Sequence, residues 1–147
     1  SLMLDMMQEV VETGTAAKIR RSGLTRPIAG KTGTTDDYRD SWFTGFTPTL
    51  SASVWVGFDR RKVLRIPGGP GITGSGGALN IWIDLMKEAL QGEPVRDFPV
   101  FPGIKYEMVN IHTGVPSDTG ETMQVALPLE YDFELQMREE HVRTGEE

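Results

Sequence analysis

Leu50-Ser51-Ala52-Ser53-Val54-Trp55-Val56-Gly57-Phe58 is the most regular stretch of the chain. Leu50, Ala52, Val54, Val56 and Phe58 alternate with Ser51, Ser53, Trp55 and Gly57. A period of two is the pattern of a strand with one buried face. Before it, residues 41–47 read as a second strand, with Trp42, Thr44 and Phe46 on one face and Thr47-Pro48 as a short turn. Earlier still, Pro27 leads into Ile28-Ala29-Gly30-Lys31-Thr32-Gly33-Thr34-Thr35, and proline tolerates the start of a strand but not its centre. Asp36-Asp37-Tyr38-Arg39-Asp40 reads as the connecting turn. Three strands joined by short turns predict an antiparallel meander.

Helical spacing flanks these strands. Leu2, Met6 and Val10 share one row and Met3, Met7 and Val11 the next, which predicts an amphipathic helix of about three turns, stopped by Gly14. Thr15 is placed to cap a shorter helix over residues 16–21, ended by Gly23. Residues 59–77 form a loop containing Pro67-Gly68-Gly69-Pro70-Gly71 and Gly74-Ser75-Gly76-Gly77, with a short strand expected over 63–66. A second strong helix follows over residues 78–90. Its polar stripe is Asn80, Asp84, Lys87, Glu88 and Gln91; Trp82, Leu85, Met86 and Ala89 lie opposite and should pack flat on the sheet.

After Gly92 the character changes. Pro94, Pro99 and Pro102 punctuate an extended linker, and residues 104–111 read as a strand, followed by a turn at Thr113-Gly114 and a hairpin. From Leu129 the chain is acidic; Phe133 and Met137 keep helical spacing, and the end is expected to fray. The expected fold class is mixed α/β (α+β), an antiparallel sheet segment with flanking helices. The expected division is residues 1–92 and a linker-and-tail region, residues 93–147.

Composition narrows the function. A chain of 147 residues is one domain or a large piece of one, and a net charge of −6 is a poor match to nucleic acid. The absence of cysteine excludes disulfides, thiolate catalysis and cysteine-based zinc sites. His112 and His141 are isolated, and Asp36, Asp37 and Asp40 lack the spacing of a calcium loop, so neither metal nor cofactor is expected. No run reaches the roughly 18 apolar residues of a membrane span, and no signal peptide is visible. The first residues begin inside an apolar pattern without a start signal, so the chain is expected to be cut from something longer. Trp42, Trp55 and Trp82 read as core, with a rim role for Tyr38 or Trp42 beside a groove as the alternative.

Lys31 sits between two glycines in a run of hydroxyls. Gly30-Lys31-Thr32 is not a phosphate loop: position 25, where a glycine is needed, is Thr25, and no helix pattern follows Thr32. Lys31-Thr32-Gly33-Thr34 does match the Lys-Thr-Gly element of penicillin-binding proteins and serine β-lactamases. The context adds to the match: Tyr38-Arg39-Asp40, Trp42-Phe43, Gly45-Phe46-Thr47-Pro48, Val54-Trp55-Val56-Gly57-Phe58-Asp59 and, upstream, Val11-Glu12-Thr13-Gly14-Thr15-Ala16. Over about residues 1–103 the chain resembles the C-terminal part of the transpeptidase domain of class A penicillin-binding proteins. These are bifunctional enzymes that polymerise and cross-link peptidoglycan.

That resemblance implies a partial penicillin-binding/serine β-lactamase-like transpeptidase fold and acyl transfer at a D-Ala-D-Ala peptide. It assigns Lys31 and Thr34 to catalysis and Thr32, Gly33, Thr34 and Thr35 to substrate binding. Lys31 would supply positive field and aid proton movement, the Thr32 and Thr34 hydroxyls would meet the substrate carboxylate, and the Thr34 N–H would be one oxyanion donor. Gly33 would let the substrate backbone approach as an added strand. The implied partners are peptidoglycan stem peptides and β-lactams, with no nucleic acid. The implied place is the periplasmic, extracytoplasmic face of the inner membrane, with the membrane anchor upstream.

One departure limits the chain. No serine is followed three residues later by lysine; Thr15-Ala16-Ala17-Lys18 has the spacing with the wrong residue and order; and no Ser-x-Asn is present. Both elements precede Lys-Thr-Gly in the family, so the fragment alone is expected to be inactive. Missing partner elements would leave apolar surface exposed, favouring self-association. The alternative is a non-catalytic cell-wall binding or interaction module that uses the same sheet edge.

Overall fold

The computed structural model describes residues 2–100 and 102–131. The chain divides into two compact units, Met3–Pro99 and one that contains Val100 and the residues after it. Phe133, Met137 and His141 lie outside the described residues.

In the first unit the chain runs α1 (Leu2–Glu12), α2 (Lys18–Arg21), β1 (Ala29–Thr34), β2 (Asp40–Phe46), β3 (Ser51–Gly57) and α3 (Ala78–Ala89). The strands form an antiparallel sheet of order β1-β2-β3. This is the expected meander. A 3₁₀ turn at Asp36–Tyr38 joins β1 to β2, with Asp37 and Tyr38 at positive φ.

Strand alternation sorts the sheet into two faces. Ser41, Phe43 and Gly45 are buried on one, and their partners Val56, Val54 and Ala52 sit beside them on the same face. The helices cover that side. Its core joins Val11 of α1, Ile19 of α2, Ile28 and Phe43, and Leu79, Trp82, Ile83 and Met86 of α3. Phe43 and Trp82 meet edge to face, with centroids 5.0 Å apart, and the Trp82 indole N–H donates to the Ala52 carbonyl at 3.0 Å. The approach depends on a missing side chain. A Cβ on Gly45 would stand 2.7 Å from Phe43 Cε1 and from Trp82 Cζ2.

Several expectations need correction. Trp42 and Trp55 are not core: they are 43% and 44% exposed on the outer face, directly paired across β2 and β3, while Trp82 is fully buried. Leu85 is 48% exposed and Ala89 is also exposed, because α3 seats on the sheet through Ala78, Leu79, Trp82, Ile83, Met86 and Leu90 instead. Thr15 does not cap α2. The α2 N-cap is Ala17, without a side-chain bond, and the chain before it folds back on α1, with the Ala16 N–H donating to the Val10 carbonyl at 3.0 Å. The strand expected over 63–66 is reduced to an Arg65–Gly71 bridge. Leu64 is nevertheless buried, and its N–H donates to the Tyr38 carbonyl at 2.7 Å.

In the second unit β4 (Ile104–Asn110) and β5 (Thr122–Pro128) form an antiparallel hairpin. Gly114, at φ +70°, turns the connection, and its N–H donates to the Asn110 carbonyl at 2.8 Å. Among the described residues no helix is long and apolar enough to cross a membrane.

Candidate functional site

β1 is an edge strand. Its only strand partner among the described residues is β2. The Thr35 N–H donates to the Asp40 carbonyl at 3.2 Å, which sets the phase of the ladder. By antiparallel alternation the N–H groups of Lys31 and Gly33 face β2, and those of Thr32 and Thr34 face the open edge.

Side chains alternate across the same strand. Lys31 and Gly33 pair with Thr44 and Trp42 and lie on the outer face; Thr32 and Thr34 pair with Phe43 and Ser41 and lie on the helix face. Lys31 is exposed, and its ammonium donates to the Thr32 carbonyl at 3.0 Å. Gly33 faces Trp42 closely: a Cβ there would lie 3.1 Å from Trp42 Cβ.

The three threonine hydroxyls are held differently, and this decides what each can offer. Thr32 Oγ1 bonds Thr15 Oγ1 at 2.8 Å, so one donor is used between them. Thr34 Oγ1 accepts the Gly74 N–H at 2.9 Å, which leaves its own O–H free to donate. Thr35 Oγ1 donates to Asp40 Oδ2 at 3.0 Å and accepts the Asp40 N–H at 2.9 Å. Its hydroxyl is therefore committed to the start of β2.

Three residues that position this strand escape sequence reasoning: Thr15, Gly74 and Asp40. Gly74 is the most constrained. A Cβ there would stand 2.7 Å from both the Gly33 and the Trp42 carbonyl oxygens, so the glycine-rich turn lies directly on the β1–β2 backbone. The repeated glycines of residues 74–77 are its only trace in the sequence. Asp40 also accepts the Trp55 indole N–H at 2.9 Å, which fixes that ring against Trp42, with centroids 6.1 Å apart.

No protein-family profile matches the chain. Curated relatives do. Penicillin-binding protein 1A of Aquifex aeolicus is 48% identical over 99 residues, covering 67% of this chain and 13% of that protein. Its counterpart in Rickettsia bellii is 37% identical over 119 residues, covering 81% of this chain and 14% of that protein. The crystal structure of penicillin-binding protein 1A from Haemophilus influenzae superposes with a TM-score of 0.73 at 30% identity, over 86% of this chain and 19% of that one. PonA1 from Mycobacterium tuberculosis in complex with penicillin V gives 0.52 at 34% identity, over 65% of this chain and 26% of that one. The chain thus spans about an eighth of the length of the curated relatives it matches. By sequence and by fold it is a homologue of part of the class A penicillin-binding proteins, and its sheet and helices are a piece of their transpeptidase fold.

Proposed function

We propose that this chain supplies the Lys-Thr-Gly wall of a serine acyltransferase that cross-links peptidoglycan at D-Ala-D-Ala peptides, on the periplasmic side of the inner membrane. The observation that carries this reading is the edge strand. Lys31 on the outer face, the Thr34 O–H on the helix face and the edge-directed N–H of Thr34 between them belong to one open-edged strand, in a chain homologous to penicillin-binding protein 1A.

The chemistry follows from that arrangement. A substrate peptide adds to β1 as an antiparallel strand, and Gly33 gives its backbone room. The terminal carboxylate meets the Lys31 ammonium and the Thr34 hydroxyl. A serine from outside this chain attacks the scissile carbonyl, and the Thr34 N–H donates to the oxygen that gains charge. D-Ala leaves with a proton, and an amine of a second stem peptide resolves the ester. A β-lactam enters by the same route and stays as the acyl-enzyme. The 147 residues alone, without the serine, form none.

Labelling with a fluorescent penicillin tests the proposal, comparing this chain with a protein extended upstream to include the serine. The expected result is labelling of the longer protein only, weakened by Lys31→Ala. Covalent labelling of the short chain would place the nucleophile within it. Failure of both would favour a non-catalytic module that uses the same edge.

A further inference from the structure

Thr15 does not cap α2, yet its hydroxyl lies 2.8 Å from that of Thr32. Local structure brings it there. At the end of α1 the Thr13 and Gly14 N–H groups both donate to the Glu9 carbonyl, at 3.0 and 3.1 Å. The chain then turns back, and the Ala16 N–H donates to the Val10 carbonyl at 3.0 Å. The turn needs a glycine: a Cβ on Gly14 would stand 2.8 Å from Val10 Cα. Val11, Ala16 and Ile19 are fully buried and anchor the segment, while Thr15 itself stays exposed beside β1.

Two bonded hydroxyls use one proton between them, and the direction of the bond decides what Thr32 can do. If Thr32 donates to Thr15, its proton is spent within the protein. If Thr15 donates to Thr32, the Thr32 oxygen is satisfied as an acceptor and its own O–H stays available. The next hydroxyl on the same face already has the second arrangement: Thr34 Oγ1 accepts the Gly74 N–H at 2.9 Å and keeps its proton. Thr32 and Thr34 stand two strand residues apart, roughly 6.5 Å. An ionised carboxylate only accepts, so one bound between them draws both protons and selects the Thr15-to-Thr32 direction.

We infer that Thr15 is a positioning residue for acylation: it donates to Thr32 Oγ1 and thereby turns the Thr32 O–H toward the carboxylate of the bound peptide or β-lactam. The inference rests on the acyl-transfer reading above. Thr15 acts through Thr32 and does not itself touch the ligand. A hydroxyl that accepts one hydrogen bond donates a stronger one, so the α1–α2 connection tunes a contact made by β1.

The test follows the acylation rate of the upstream-extended protein with fluorescent penicillin. Thr15→Val keeps the shape of the side chain and removes the hydroxyl; the rate should fall about tenfold, the scale of one hydrogen bond to a charged group. Thr15→Ser keeps the hydroxyl and should label close to the wild-type rate. In a Thr32→Val background, itself slowed, Thr15→Val should slow labelling no further, because the effect passes through Thr32. The urea midpoint of Thr15→Val should stay with the wild type. Normal labelling of Thr15→Val overturns the inference and leaves the acyl-transfer reading standing. Equal slowing with and without the Thr32 hydroxyl also overturns it, as does slow labelling that follows a lowered urea midpoint. Slow labelling of Thr15→Ser would assign the effect to the methyl group and overturn it too. Absence of labelling in the wild-type extended protein overturns the acyl-transfer reading, and the role of Thr15 with it.

Discussion

Ser41, on β2, caps α3 from across the fold: its hydroxyl accepts the Ala78 N–H at 2.9 Å and donates to the Thr73 carbonyl at 2.9 Å. The local N-cap, Gly77, has no side chain to do this. Ser41 is fully buried, so no water replaces the bond. Ser41→Ala should cost about 1–2 kcal/mol, the range for a lost cap or an unsatisfied buried donor. Urea unfolding of this chain checks it; an unchanged midpoint would show that α3 does not depend on the cap.

Gly45 sets how close α3 comes to the sheet. Its missing Cβ is the space that Phe43 and Trp82 share. Gly45→Ala should overpack this contact and cost about 1–3 kcal/mol, as extra methyl groups in filled cores do. Thermal unfolding measures the loss, and a neutral effect would mean that the two rings can move apart freely.

Lys31 and Gly74 should separate chemistry from architecture. Lys31 is exposed, and Lys31→Ala should leave stability within about 0.5 kcal/mol. The same change should lower the penicillin acylation rate of the upstream-extended protein by about a hundredfold or more, the scale of a lost electrostatic contact to a reacting group. Gly74→Ala drives a Cβ against two backbone oxygens and should reduce both stability and labelling. If Gly74→Ala labels normally, the turn does not hold the strand.

The three tryptophans should report different environments. Acrylamide should quench Trp42 and Trp55 and spare Trp82, which is fully buried. In Trp82→Phe the protected fraction of the emission should vanish. A protected fraction that persists would mean that the outer face is covered in solution.

The outer face also predicts association of the isolated chain. Trp42 and Trp55 form an exposed aromatic pair beside the open edge of β1. Sedimentation should shift to larger species as concentration rises, and Trp42→Ser/Trp55→Ser should weaken the shift. A concentration-independent monomer would remove this prediction.

Residues 50–58 show how far the pattern reaches. Their alternation is a local consequence of the pleat, so the strand, its register parity and the meander are legible without a partner. Residue type misleads where burial depends on remote packing. Trp55 and Trp82 are chemically identical, yet Trp55 falls on the solvent face and Trp82 under a helix. Leu85 is apolar at helical spacing, but the seat of α3 is set by Trp82 over Gly45, which rotates Leu85 outward. The positions 63–66 were patterned as a strand, but only Leu64 is buried, because the loop folds back to the Tyr38 carbonyl.

The amino-acid order by itself determined the three strands, the two long helices and the Lys-Thr-Gly element, because period and spacing are properties of neighbours along the chain. The tertiary structure decided which hydroxyl beside Lys31 is free. Thr34 keeps its O–H because Gly74, 40 residues later, donates to its oxygen, while Thr35 gives its O–H to Asp40. A hydroxyl has one proton to donate, and only the folded chain shows where that proton is already used.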